Sequence, residues 1–150
     1  MASLEQEIQQ KKFADEEVKA NLNVLYTANV LYNRMSAFLK PQQLSHEQFN
    51  VLRILRGSHP KSMCQKDILS RMVAPKSNLT LIINKLLNKK WIKVQASKSD
   101  KRAYKINITK QGLAKLKILD QILDQHRSDF QRLSESEAFH LNALLDKMRG

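Results

Sequence analysis

Apolar positions recur at helical spacing over most of the chain and switch to strict alternation only once. Between residues 4 and 39, Ile8, Phe13, Val18, Leu22, Leu25, Ala28, Tyr32, Met35 and Leu39 read as one face of a single long helix. Pro41 ends it. About 35 residues of helix span roughly 50 Å. A small domain cannot cover that length, so the first turns are expected to pack on something else. Ser45 and Gln48 form an S-x-x-Q capping box ahead of Phe49, Leu52 and Leu55, and Gly57 can stop that helix. A second S-x-x-Q, Ser62 to Gln65, predicts a short helix over 62–72 with Ile68, Leu69 and Met72 facing inward. After a break at Val73-Ala74, Pro75 suits the first turn of another helix. That helix carries Leu79, Ile82, Ile83, Leu86 and Leu87 as far as Lys89.

The period then changes to two. Ile92, Val94 and Ala96 alternate with Lys93 and Gln95, and Tyr104, Ile106 and Ile108 alternate with Lys105 and Asn107. Two alternating runs around the polar stretch 97–103 predict a β-hairpin with a long tip. Thr109 can cap the following helix, lined by Leu113, Leu116, Leu119, Ile122 and Leu123 to Phe130. Ser134 and Glu137 make a further capping box, and Ala138, Leu141, Leu144, Leu145 and Met148 stripe the last helix over 134–149. Four helices, a hairpin and two helices follow one another, with no internal repeat. The closely joined helices at 62–72 and 75–89, followed by the hairpin, define a winged helix-turn-helix. The expected fold is mainly α with a small β-hairpin wing, flanked by N- and C-terminal dimerisation helices.

Length and composition narrow the class. The 150 residues suit a single domain, and only three Gly and three Pro accord with a helical chain. One cysteine, Cys64, excludes an internal disulfide and a cysteine-rich zinc site. No stretch approaches the roughly 20 apolar residues of a membrane span. The opening MASLEQEIQQKKFADEE is polar and acidic, unlike a signal peptide. A cytoplasmic protein without a membrane partner is expected.

Charge placement is the sharper clue. Of 26 Lys and Arg and 14 Asp and Glu, residues 45–110 hold 15 and 3, which leaves 11 of each outside. The whole net charge of +12 therefore lies in the winged-helix segment, which suits a polyanionic partner there and a different task for the ends. A surface kept soluble by charge is the plainer alternative, and an even spread of basic residues would suit it better. The 1–150 chain thus divides into dimerisation helices at 4–40 and 110–150 and a DNA-binding lobe at 45–109. Three amphipathic helices outside the lobe exceed what one subunit buries easily, and a second copy would cover them.

A helix-turn-helix lays its second helix in the major groove, with its N-terminal residues nearest the bases. These are Pro75, Lys76, Ser77, Asn78, Thr80 and Leu81. Lys76 suits a phosphate or a guanine edge, Asn78 suits adenine, Ser77 and Thr80 suit phosphate or base, and Leu81 suits a thymine methyl. Ser77 and Asn78 would equally serve to satisfy the first helical turn. The wing supplies Lys98, Lys101 and Arg102, with Arg102 fitted to a narrow A·T-rich minor groove. Asp100 would repel phosphate, so it is expected to hold the wing in shape by a hydrogen bond or an arginine pair, the plain alternative being a solvated turn residue.

The stretch SDKRAYKINITKQG resembles the D-x-R…I-x-L-T-x-x-G wing signature of the MarR family of bacterial transcriptional regulators. Asp100, Arg102, Ile106, Ile108, Thr109 and Gly112 carry the match. The preceding KDILSRMVAPKSNLTLIINKLLNKKWI is similar to the family pattern through Leu69, Met72, Ser77, Thr80, Ile83 and Leu86. Leu81 stands where members often have Arg, and Lys90 where Gly is usual. The resemblance implies a homodimer on a pseudo-palindromic double-stranded DNA site, acting as a repressor more often than an activator and frequently answering a small-molecule effector. Tyr26, Tyr32, Met35, Phe38 and Phe49 are the residues expected around such an effector, although aromatic and Met stripes more often form core. Redox-sensing members place their cysteine early in the chain, where this sequence has none, so a structural thiol is expected at Cys64. The four histidines are scattered with no ligand cluster beside them, so neither metal nor cofactor is expected. No phosphate loop, nucleophile elbow or H-E-x-x-H occurs, and no enzyme is expected. Two other functions compete: a winged-helix module binding an acidic protein, and an architectural DNA binder without sequence preference.

Arg102→Ala is expected to weaken specific DNA binding by about 1–3 kcal/mol and to flatten its salt dependence. A salt titration of operator binding checks this, and an unchanged affinity and slope would remove Arg102 from the interface.

Overall fold

The computed structural model describes residues 2–73, 78–96 and 104–150. Along the chain run α1 (Leu4–Glu7), α2 (Glu16–Leu39), a 3-10 turn (Lys40–Gln42), α3 (His46–Ser58), α4 (Gln65–Leu69) and α5 (Leu79–Asn88). The strands β1 (Ile92–Ala96) and β2 (Tyr104–Ile108) follow, then α6 (Lys110–Gln125), α7 (Arg127–Phe130) and α8 (Glu135–Arg149). The expected hairpin is present with its expected limits, antiparallel, pairing Ile92 with Ile108 and Val94 with Ile106. Its inner face joins α3, α4, α5 and the first half of α6 around a core in which Leu52, Ile68, Leu86, Ile106, Leu116 and Leu119 are completely buried.

Four expected helices differ from those observed. The helix expected from Pro75 to Lys89 is Leu79–Asn88, because the Asn78 carboxamide caps it by accepting the Leu81 N–H. The helix expected over 4–39 is two. Gln9 takes a left-handed φ of 54° and the chain reverses. Asp15 then starts α2 by accepting the Val18 N–H at 2.7 Å. The apolar intervals Ile8–Phe13–Val18 are five residues each, which rotates successive side chains off any one helical face. The short α1 folds back onto α2. Leu4 is buried, Lys19 meets Glu5 at 2.6 Å, and the Tyr26 hydroxyl donates to Glu7 at 2.9 Å. The Lys19 hydrogen bond holds the Glu5 carboxyl down at about 2.

The helix expected over 62–72 is only Gln65–Leu69. Met63 is taken by the sheet instead: its N–H donates to Ile106 O at 3.0 Å and its carbonyl accepts from Ile106 N–H at 2.8 Å. Residues paired to a strand cannot also form a helical turn, so the start moves to Cys64, whose N–H donates to Asp67 Oδ2 at 3.3 Å. The helix expected over 110–130 is interrupted at His126, between α6 and α7. Two side-chain expectations also change: Tyr104 lies outside the core, and Leu87 is largely exposed on α5.

One departure from the family pattern, Lys90, lies at the junction of α5, the hairpin and α6. The end of α5 is a Schellman turn. Trp91 N–H donates to Leu86 O at 3.1 Å and Lys90 N–H to Leu87 O at 2.8 Å, with Lys90 at φ 59°. This left-handed residue is the position where Gly is usual, and a side chain there costs about 1 kcal/mol. Thr109 closes the same junction. Its N–H donates to Trp91 O at 2.9 Å, its hydroxyl donates to Lys90 O at 2.7 Å, and its Oγ1 accepts the Gly112 N–H at 3.1 Å. Gly112 lies so close that a Cβ would overlap Trp91 O and come within 2.8 Å of Ile108 Cγ1.

Substitutions at this junction are expected to have opposite signs. Gly112→Ala forces backbone against backbone and should lower the unfolding free energy by at least about 2 kcal/mol. Lys90→Gly should raise it by about 1 kcal/mol. Urea unfolding at constant m-value measures both.

Candidate nucleic-acid interface

The geometry of α5 follows from its two faces. Leu79, Ile82, Ile83 and Leu86 are buried and anchor the helix on α3 and the sheet. Thr80, Leu81, Asn84, Lys85 and Asn88 are exposed. Asn78 is the N-cap, its Oδ1 accepting the Leu81 N–H at 3.2 Å. The expectation that Asn78 pairs with adenine therefore competes with a local use of the same oxygen. Thr80 and Leu81 stand on the open side, as a groove-facing role requires. Pro75, Lys76 and Ser77, and the wing residues Lys98, Asp100, Lys101 and Arg102, lie outside the described residues.

The hairpin adds two cations that the motif reading did not single out. With Ile92, Val94, Ile106 and Ile108 turned inward, the alternate positions Lys93 and Lys105 are exposed on the outer face. They are diagonal neighbours there, since Lys93 pairs with Asn107 and Gln95 with Lys105. The period-two pattern together with the local charge was enough to find them. At the other end of α5, Lys89 turns away from the open face. It donates to Gln43 O and, at 3.4 Å, to Gln48 Oε1, and it lies 4.9 Å from the Trp91 ring centroid. Partial burial, and then the nearby Lys115 and Lys85, lower its pKa. Lys89 is thus a bracket between α3 and the α5 junction, although sequence alone counts it with the basic surface.

The five expected effector residues separate. Tyr32, Met35 and Phe49 line one cleft of about 370 Å³ between α2 and α3, with Ala28, Leu31, Arg53, Met72 and Val73. In its wall the Tyr32 and His46 rings stack at 4.0 Å, and the Arg53 guanidinium lies 5.7 Å from the Phe49 centroid. Phe38 belongs to another cleft, between the end of α2 and α6, beside Arg34, Ile122, His126 and Arg132. Tyr26 lines neither of these clefts and bonds Glu7, which raises its phenol pKa. Cys64 is half-buried at the head of α4. Among the described residues no three His, Cys, Asp or Glu side chains are placed to share a metal ion. No helix among them is long and apolar enough to cross a membrane.

A short helix, a second helix with one polar face, and a basic two-stranded hairpin bonded back to the segment before the first helix make a winged helix-turn-helix. Residues 44–104 match the MarR family model. The HTH-type transcriptional regulator PecS of Dickeya dadantii is 26% identical over 108 residues, 71% of this chain and 65% of PecS. The match thus spans just under two thirds of that relative's length. A MarR mutant from E. coli complexed with operator DNA superposes with a TM-score of 0.77 at 20% identity, over 92% of this chain and 99% of that one. Bordetella bronchiseptica BpsR, whose DNA binding is regulated by 6-hydroxynicotinic acid, gives 0.68 at 22%, over 85% and 99%. At these identities the two structures establish the fold.

Asn78→Ala is expected to lower stability by about 1 kcal/mol through loss of the cap, while Asn78→Ser retains most of it. Urea unfolding of the two variants separates capping from a role confined to DNA, for which neither would change stability.

Proposed function

We propose that this protein is a sequence-specific, double-stranded-DNA-binding transcription regulator acting as a homodimer on a pseudo-palindromic operator. The observation that carries this reading is the open polar face of α5 beside the cationic outer face of the hairpin, within the segment that holds all the net charge. In this reading Pro75, Lys76, Ser77, Thr80 and Leu81 meet the major groove. Lys98, Lys101 and Arg102 reach along the wing, with Asp100 shaping it. Asn78 positions the helix start.

The dimer reading rests on apolar surface left open by one subunit. No residue of α8 is buried; Phe139 is 71% and Leu144 64% exposed, and Leu25 on α2 is 68% exposed. A single chain gains little from such faces, and a two-fold partner would cover them. The segments 4–40 and 110–150 are then the dimerisation helices of one 1–150 domain, with the 45–109 lobe carried between them. The cleft holding Tyr32, Met35 and Phe49 lies where dimer helix and lobe meet. A small molecule there would alter the spacing of the two recognition helices, which suits a repressor released by its effector. The regulation of BpsR by 6-hydroxynicotinic acid supports such a role. The protein is read as bacterial, cytoplasmic and without catalytic activity.

Selection of duplexes from a random pool at near-physiological salt tests the reading. An enriched inverted repeat with half-sites about one helical turn apart is expected. Retention without enrichment would mark an architectural binder, and no retention would favour a protein-binding module. Phe139→Glu with Leu144→Glu is expected to convert dimer to monomer in sedimentation with helicity preserved. A dimer that survives both charges would place the interface elsewhere.

A further inference from the structure

The open face of α5 is centred on two residues that differ in chemistry. At about 100° per residue, Leu81 and Asn84 each lie about 30° from the direction opposite the buried Leu79, Ile82, Ile83 and Leu86, whereas Asn78 lies about 90° from it. Reading adenine with a carboxamide takes both of its polar atoms: the oxygen accepts from N6–H and the NH₂ donates to N7. The Asn78 oxygen already caps the helix through Leu81 N–H. The Asn84 side chain has no hydrogen-bond partner among the described residues, so both atoms are free for a base. One turn before it, Leu81 is 51% exposed, an apolar side chain in the middle of a polar face. It can offer a base pair nothing but apolar contact, and in the major groove the group that rewards this is the thymine methyl.

We propose that Leu81 and Asn84 read two adjoining A·T pairs in each half-site, Asn84 taking an adenine and Leu81 the thymine methyl of the neighbouring pair. This rests on the DNA-binding reading above. The spacing supports it: three residues advance about 4.5 Å along a helix, close to the roughly 3.4 Å between stacked bases. An arginine at position 81 would instead fork onto guanine O6 and N7. Leu81 therefore turns that position of the operator from G·C to A·T.

The test repeats the duplex selection with wild type, Asn84→Ala and Leu81→Arg, and adds atomic changes in the DNA. In the wild-type motif an adenine adjoins a thymine-bearing pair. Replacing that adenine by 7-deazaadenine, or that thymine by uracil, should each weaken wild-type binding by about tenfold. Asn84→Ala should lose preference at the adenine alone and become indifferent to 7-deazaadenine. Leu81→Arg should select guanine at the neighbouring pair and become indifferent to uracil. Both side chains are exposed, and a far-ultraviolet spectrum confirms that each variant is folded. Wild-type enrichment of a motif unchanged in both variants, or insensitive to both base analogues, would overturn the assignment and leave the regulator intact. Absence of any wild-type enrichment would overturn the regulator and the assignment together.

Discussion

The close packing of Gly112 against the Trp91 carbonyl is the constraint on which the lobe depends. Around that contact Thr109 binds the backbone at both Lys90 and Trp91, and Lys90 turns the chain out of α5 in a left-handed conformation. Three elements are thereby held at one point: the end of α5, the base of the hairpin and the start of α6. In the proposed complex, the angle between α5 and the hairpin decides whether both reach the same duplex. Backbone contacts of this kind leave little freedom to adjust it.

Anchoring at one end lets the opposite face of α5 be chosen for chemistry. Its buried side repeats the apolar interval that any helix on this sheet needs, and its open side carries only Thr, Leu, Asn and Lys. In the proposed complex, the exposed Lys93 and Lys105 on the hairpin would add attraction for phosphate without reading bases. Base discrimination in that proposed complex falls to short side chains at the centre of α5. The cation nearest the junction, Lys89, is drawn into Gln43, Gln48 and Trp91 and acts as structure.

Away from the lobe the balance reverses. The ends are electrically neutral, and α2 and α8 leave large apolar side chains in water. The core of the lobe is closed by Leu39 at the end of α2 and by Leu116 and Leu119 of α6, while the rest of α2 and all of α8 leave apolar faces open. In the proposed dimer, that surface would also set the distance between the two copies of α5. The cleft under Tyr32 and Phe49 lies where that distance can be altered. Charge thus concentrates where the proposed partner is nucleic acid, and apolar exposure where it is a second copy of the chain.

Sequence alone determined the elements whose causes are local. The hairpin limits follow from period-two alternation, the caps at Ser45, Thr109 and Ser134 from their side-chain oxygens, and the resemblance from the D-x-R and T-x-x-G residues. The apolar stripe over 4–39 misreads as one continuous helix, although five-residue apolar intervals and Asp15 before two glutamates signal the break. Tertiary structure decided what depends on residues distant in the chain. Met63 is lost to a helix because Ile106 pairs with it. Asn78 and Asn84 are the same residue type six positions apart, yet one stands at the helix start and caps it, while the other stands mid-helix on the exposed face. Lys89 and Lys93 look alike in a basic run, but only one is enclosed. Tyr32 and Phe38 lie on one helix and face different clefts. Local hydrogen bonding and periodicity are written in neighbouring residues, whereas a side chain's partner and exposure are settled only when remote segments pack against it.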